Sequence, residues 1–238
     1  MNKNFSVLAE KKIKKINKTI LIESDKSISH RALLIASQCI GSSKIRHLLE
    51  SEDVKNTIKC LQKLGVKIVK KNKQYIVYGN GLASFRKPKD SKLYVGNSGT
   101  LARMLISLIA TNPELKVKIS GDSSLNKRDM KRIIEPLSKI GCNFYPKKKT
   151  TLPLEVEGTE MPLAQEHIEK IGSAQVKSAI LLAALNTPGT TVVKEQKISR
   201  NHTENILNFL GADIKIKKLK KKNLIFLTDQ KNLYSFNI

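Results

Sequence analysis

Leu93–Ala110 reads LYVGNSGTLARMLISLIA, a glycine- and serine-rich polar run that opens straight into a helix apolar on almost every side. A helix without a polar face has to be surrounded by protein. Its start, by contrast, carries unpaired N–H groups and about half a positive charge. Gly99 lets a ligand come close to the backbone there. The stretch therefore predicts a rigid buried helix whose first turn faces an anion.

Two more stretches have the same character: SISHRALLIASQCI from Ser27 and SAQVKSAILLAALNT from Ser173. Short strand-like runs follow the three in turn (SKIRHL, LKVKIS, TTVVKE), and strands precede the first two (KTILIE, KLYV). Next in each copy comes an amphipathic helix: SEDVKNTIKCLQK, LNKRDMKRIIEPLSK and SRNHTENILNF. These lead into LGVKI, IGCNF and LGADI, whose glycines, Gly65, Gly141 and Gly211, recur after 76 and then 70 residues. Each glycine stands where a helix stops in a left-handed conformation, and alternating apolar residues follow it. Such recurrence marks three copies of one supersecondary unit, at about 19–80, 92–157 and 165–228. The expected fold is an α+β lobe with pseudo-threefold arrangement. Apolar helices lie inside, and amphipathic helices with their sheets lie outside. An ordinary α/β sandwich with coincidentally similar helix ends is the alternative.

The net charge of +24 admits nucleic acid, an acidic surface or small anions as partners. Of the 44 basic residues only seven are arginine, aromatic residues make up 5%, and there is no tryptophan. Sequence-specific nucleic-acid readers rely on arginine forks and stacked rings, so lysine-rich runs such as KIKKLKKKN read as solvated surface. Arginine suits two-point recognition of phosphate and carboxylate. Arg31, Arg103, Arg128 and Arg200 all fall near the predicted helix starts, Arg128 and Arg200 opening the second and third amphipathic helices. Lys26 stands just before the first start. Glu23 and Asp25 lie there too, and capping or solvent pairing accounts for them.

Several classes find no support. Neither GxxxxGK[ST] nor GxGxxG occurs, so ATP and dinucleotides are poor candidates. The four histidines lack metal-ligand spacing, and no structural metal is expected. Cys39, Cys60 and Cys142 read as small buried hydrophobes. No apolar run is long enough to cross a bilayer, and the basic N-terminus lacks a signal-peptide core, so the expected location is cytoplasmic.

On DKSISHRALLIAS (25–37), GNSGTLARML (96–105), GDSSLNKRDMKRIIEPL (121–137), IGSAQVKSAILLAALNTPG (171–189) and SRNHTENIL (199–207), the chain resembles the EPSP synthase family of enolpyruvyl transferases, most of all its class II branch. The resemblance runs from about residue 5 to 238, with the motifs in the family's order. It implies an inside-out α/β barrel of βαβαββ units. It also implies transfer of the enolpyruvyl group of phosphoenolpyruvate to the 5-hydroxyl of shikimate 3-phosphate, without metal or cofactor. Carried over by position, Lys26 touches both substrates. Ser27, Arg31, Ser173, Ala174, Gln175 and Arg200 hold shikimate 3-phosphate. Gly99 and Arg128, with Gln175, bind phosphoenolpyruvate, and Asn97, Thr100 and Arg103 support the loop. Arg132 is expected to pair on the surface.

The family has a proline and a glycine where this chain has Asp129 and Lys131, and Asp129 weakens the positive field there. Gly99 stands where glyphosate-insensitive class II members often carry alanine, so a complete site is expected to be sensitive. Family members are about twice as long and have two such lobes. The resemblance therefore assigns 1–18 as a strand of the other lobe, 19–228 as one complete lobe and 229–238 as the start of the crossover. It leaves the catalytic base in the other lobe, supplied by a second polypeptide or lost to truncation, and a full-length enzyme that is monomeric. No carboxylate pair here suits acid–base catalysis. A UDP-N-acetylglucosamine enolpyruvyl transferase is the alternative within the fold. A non-catalytic lysine-rich nucleic-acid binder is the alternative outside it.

Overall fold

The computed structural model describes residues 24–72, 74–230 and 232–238. The first unit comprises α1 (Lys26–Ser37), β1 (Ile40–Arg46), α2 (Glu52–Lys63), β2 (Lys67–Lys71) and β3 (Gln74–Asn80). The second has β4 (Lys92–Tyr94), α3 (Gly99–Ala110), β5 (Lys116–Ser120), α4 (Lys131–Lys139), β6 (Asn143–Tyr145) and β7 (Leu154–Glu157). The third has β8 (Glu166–Glu169), α5 (Ala174–Ala184), β9 (Thr190–Glu195), α6 (His202–Phe209), β10 (Ile214–Leu219) and β11 (Lys222–Thr228).

One topology recurs. The second and third sheets run β4-β5-β7-β6 and β8-β9-β11-β10, with the first pair of each parallel and the others antiparallel. The first sheet, β1-β3-β2, repeats the last three places of that order. The stops of the outer helices repeat as well. Gly65, Gly141 and Gly211 have φ of 90°, 109° and 75°. The residue after each glycine donates its N–H five residues back, from Val66 to Leu61, Cys142 to Leu137 and Ala212 to Leu207, at 3.0–3.1 Å. This bond closes the last helical turn and turns the chain into the following strand.

α1, α3 and α5 are buried almost completely after their first turns, as their composition demands. α2, α4 and α6 bury one face each, through Val54 and Leu61, Ile133 and Leu137, and Leu207. All of these side chains belong to one continuous core. Cys39, Cys60 and Cys142 are free and buried within it, and burial pushes each thiol up to about 12.

Four details differ from the sequence reading. The cap of α1 is Asp25, whose Oδ1 accepts from the Ile28 N–H at 2.8 Å, so the helix starts at Lys26 and not at Ser27. The stretch expected as one helix from Leu125 breaks in two, a short 3-10 turn at Leu125–Lys127 and α4 from Lys131. The third unit does have a leading strand, β8, which the brief EHIE alternation signals only weakly. Finally, residues 233–238, expected to begin the crossover, are paired with the first unit. Tyr234 and Asn237 pair in parallel with Ile40 and Lys44 of β1. The Ile40, Lys44 and Arg46 N–H groups donate to Leu233, Phe236 and Ile238 at 2.7–2.8 Å. Leu233 and Phe236 are buried. This segment fills beside β1 the place that β4 fills beside β5 and β8 beside β9, and it pairs that edge of β1. The strands expected within 1–18 and at KTILIE, and Glu23, lie outside the described residues.

Candidate functional site

The three inner helices meet at their starts. Ser98 and Ser173 cap α3 and α5, each hydroxyl accepting the N–H of the residue three on. Side chains of the first turns then link every pair. His30 of α1 shares hydrogen bonds with Thr57 of α2 (Nδ1, 2.7 Å) and with the α3 cap Ser98 (Nε2, 3.3 Å). Gln175 of α5 donates to Thr100 of α3 at 2.8 Å and accepts from Arg103 at 3.1 Å. Arg31 of α1 reaches α5 and α6, with Nη2 to Ser178 Oγ at 2.8 Å and to Ala174 O at 3.5 Å, and Nε to Thr203 Oγ1 at 2.8 Å. Its Nη1 returns to Ser27 O at 2.9 Å. The result is a closed ring of polar contacts around three converging N-termini, with apolar helix behind each.

The cations fall into two layers. Arg31 is only 2% exposed and lies beneath the ring. Lys26, Arg128 and Arg200 are exposed at the rim. Lys26 pairs with Asp53 at 2.9 Å. Arg200 reaches Ser27 Oγ at 3.5 Å. Arg128 donates to Asn97 Oδ1 at 2.5 Å and to Ser124 Oγ at 3.4 Å. Arg128 and Arg200 lie in the turns before α4 and α6, not on the helices expected to carry them. The turn bearing Arg128 is held by Asn126, which exchanges hydrogen bonds of 2.8 and 2.9 Å with the Gly121 backbone.

These cations crowd one another. Burial, and then the charge of Arg200, push Arg31 down to about 10. Burial, then Arg128 and Arg132, lower Arg103 as well. Asp129 stands among them. Its carboxylate is lowered first by the Lys131 N–H, which it accepts at 2.8 Å at the start of α4. Even so, burial and then neighbouring cations depress both Arg31 and Arg103, and a surplus of cations of this kind suits an anion as ligand. Gly99 is closely packed by these cations, because a Cβ there would sit 2.6 Å from Arg103 Nη1 and 3.5 Å from Arg128 Nη1.

Sequence-predicted residues are thus brought together from all three units: Lys26, Ser27 and Arg31 from the first, Asn97, Gly99, Thr100, Arg103 and Arg128 from the second, and Ser173, Ala174, Gln175 and Arg200 from the third. Arg132 pairs with Glu169 at 2.8 Å, its own side chain half exposed. Several residues escaped the sequence reading, among them Thr57, Ser178 and Thr203 of the ring. So did His30, whose imidazole burial holds down to about 4, and the ion group of Lys177 with Glu195 (2.9 Å) and Glu204 (2.6 Å). A lone lysine within SAILLAALN-type apolar sequence, or a lone histidine before ALLIAS, is the signal that each must have a buried partner. No helix among the described residues is long and apolar enough to cross a membrane.

The sequence profile of one family, EPSP synthase (3-phosphoshikimate 1-carboxyvinyltransferase), matches residues 10–235. A 3-phosphoshikimate 1-carboxyvinyltransferase of Ruegeria sp. (strain TM1040) is 39% identical over 213 residues, which are 89% of this chain and 47% of the relative. That of Sulfurihydrogenibium sp. (strain YO3AOP1) is 44% identical over 203 residues, covering 85% and 46%. Among solved structures, an EPSP synthase from Acinetobacter baumannii superposes with a TM-score of 0.83 at 34% identity, over 92% of this chain and 48% of that one. The chain spans about half the length of the curated relatives it matches.

Proposed function

The chain belongs to the EPSP synthase family, and from that premise we propose that its ring of helix starts is half of an active site that transfers the enolpyruvyl group of phosphoenolpyruvate to the 5-hydroxyl of shikimate 3-phosphate. The hydroxyl adds across the enol, and the tetrahedral intermediate then expels inorganic phosphate. Ser27, Ser173, Ala174, Gln175 and Arg200 hold shikimate 3-phosphate. Arg31 acts from beneath, through its charge and through the Ser27 and Ala174 carbonyls that it fixes. Gly99, Arg128 and Gln175 take phosphoenolpyruvate, and Lys26 lies between the two ligands. Asn97, Thr100 and Arg103 keep the loop and its cations in place. The opposing lobe, on a second polypeptide or a longer chain, supplies the acid–base group. The complete enzyme is a cytoplasmic monomer and is inhibited by glyphosate, because Gly99 has no methyl group to displace the Arg103 guanidinium from its place at the helix start.

The observation that carries this reading is the convergence of three helix N-termini with crowded, under-compensated arginines, which suits ligands of two or more negative charges. Each charge-assisted hydrogen bond contributes about 1.5–3 kcal/mol, so a few of them reach micromolar affinity. Calorimetric titration of the 238-residue chain with shikimate 3-phosphate tests it. The expected result is saturable binding that Arg200→Ala weakens, with no turnover of the two substrates until the other lobe is added. Absence of binding, or enzyme-like turnover by this chain alone, overturns it. A duplex or single-strand binder would instead bind nucleic acid with steep salt dependence.

A further inference from the structure

Two loops of the face end on neighbouring carboxylates. β8 and β9 run parallel in a register that sets Glu169 beside Glu195. Each ends its strand, and each is buried, at 2% and 1% exposure. From each, the chain runs four residues to a serine whose backbone N–H returns to the same oxygen. Ser173 N–H reaches Glu169 Oε1 at 3.2 Å, and Ser199 N–H reaches Glu195 Oε1 at 2.7 Å. A second bond tightens each loop, from the Ile171 N–H to Glu169 Oε1 at 3.1 Å and from Ser199 Oγ to Glu195 Oε1 at 2.5 Å.

Each carboxylate also has its own cation. Arg132 Nη2 lies 2.8 Å from Glu169 Oε1, and Lys177 Nζ lies 2.9 Å from Glu195 Oε1. Lys177 bonds Glu204 as well, His167 Nε2 lies 3.9 Å from Glu169 Oε2, and Asn223 Nδ2 bonds Glu195 Oε2 at 3.1 Å. Burial opposes ionisation of Glu195, but the bonds from Ser199 and Lys177 outweigh it and leave the carboxyl below its ordinary range. Side-by-side carboxylates out of water repel each other and are retained only with partners of this kind. As acceptors they grip N–H groups about twice as strongly as a neutral oxygen.

We propose that Glu169 and Glu195 are positioning residues of the anion-binding face. Glu169 fixes the loop 170–173 and so the cap of α5. Glu195, held by Lys177, fixes Ser199 and through it presents Arg200. Their oxygens bond the protein groups named above, so they act through those loops. The inference rests on the function proposed above for its ligand and on the fold alone for its loops.

The test uses the 238-residue chain and its variants Glu195→Ala, Ser199→Ala, Arg200→Ala and Glu195→Ala/Arg200→Ala. Backbone amide exchange of the free chain is measured together with calorimetric affinity for shikimate 3-phosphate. Exchange at 199–200 should rise at least tenfold in Glu195→Ala and severalfold in Ser199→Ala, with the amides of α1 and α3 unchanged. Affinity should fall about tenfold in Glu195→Ala, but less than twofold when the same change is made on the Arg200→Ala background, because the two act as one unit. Unchanged exchange at 199–200, or equal losses on both backgrounds, overturns the proposal. Ser199 is half-buried and loses only a hydroxyl, so Ser199→Ala decides the matter if Glu195→Ala does not fold. A wild-type chain that ignores shikimate 3-phosphate defeats the proposed function, and the exchange data then decide the positioning role alone.

Discussion

Lys177 and the lysines of β10 carry the same charge and do opposite things. Lys177 is fully buried in α5 and bonds two glutamates. Lys217 and Lys218 stand in water on a strand exposed along almost its whole length. The first is a structural element with fixed partners, and the second belong to a solvated coat that accounts for much of the net charge of +24. The rim residues Lys26, Arg128 and Arg200 are a third kind, exposed yet in polar contact with groups at helix starts, closely for Lys26 and Arg128 and at 3.5 Å for Arg200. Charge by itself therefore says little about role. The contacts that fix a cation decide whether it supports the fold, presents itself to a ligand or keeps the surface wet.

The comparison can be broken most easily at Lys177. Replacing it with methionine leaves Glu195 and Glu204 buried without their cation, and removal of one partner of a buried pair costs about 3–5 kcal/mol. Urea denaturation should show that loss, and a loss below about 1 kcal/mol would place Lys177 with the surface lysines. His30 gives the next effect. Its folded pKa of about 4 lies below the unfolded value of 6.5. Between those pH values the unfolded chain binds a proton that the folded chain does not, so stability falls as pH drops from 6.5 toward 4 and is unaffected by this group above that window. The full span is worth about 3 kcal/mol. His30→Gln should flatten the pH dependence of the unfolding free energy by that amount, measured by urea denaturation across this window. His167 and His202, also lowered mainly by burial, leave a residual slope of the same sign.

Arg200→Ala sharpens the distinction between rim and coat. It should weaken shikimate 3-phosphate binding by about 1.5–3 kcal/mol in a calorimetric titration, while changing stability by no more than about 0.5 kcal/mol. The smallest effect belongs to the coat. The double change Lys217→Gln and Lys218→Gln should leave both stability and affinity within about 0.5 kcal/mol of wild type. A larger drop in affinity would mean that the long-range field, and not the fixed rim, draws the ligand.

What the sequence revealed was local. The three glycines that end the outer helices were legible because a left-handed stop is decided within a few residues. The burial of α1, α3 and α5 was legible because their composition allows nothing else. Register within a helix start was not, since Asp25 and Ser27 are both competent caps and only the backbone geometry selects between them. Neither was the detachment of Arg128 from α4, which depends on a 3-10 turn that an amphipathic pattern does not distinguish from helix. The polar ring was least visible of all. Arg31 finds Thr203 at a separation of 172 residues, and no pattern along the chain announces such a partner. The residues of the face could be named from a resemblance. Their division into a buried layer and an exposed rim required the fold.

The pairing of 233–238 with β1 has a consequence for how the polypeptide matures. The Phe236 N–H meets Ser43 Oγ across 193 residues of chain. Among the described residues, the first unit is thus completed late, because this edge of β1 pairs with residues made nearly two hundred positions later. Contacts of such separation slow folding, since the loop must close before the pairing can reward it. During translation an unpaired strand edge is a template for wrong pairing, and the pairing of 233–238 with β1 ties the end of the third unit to the first.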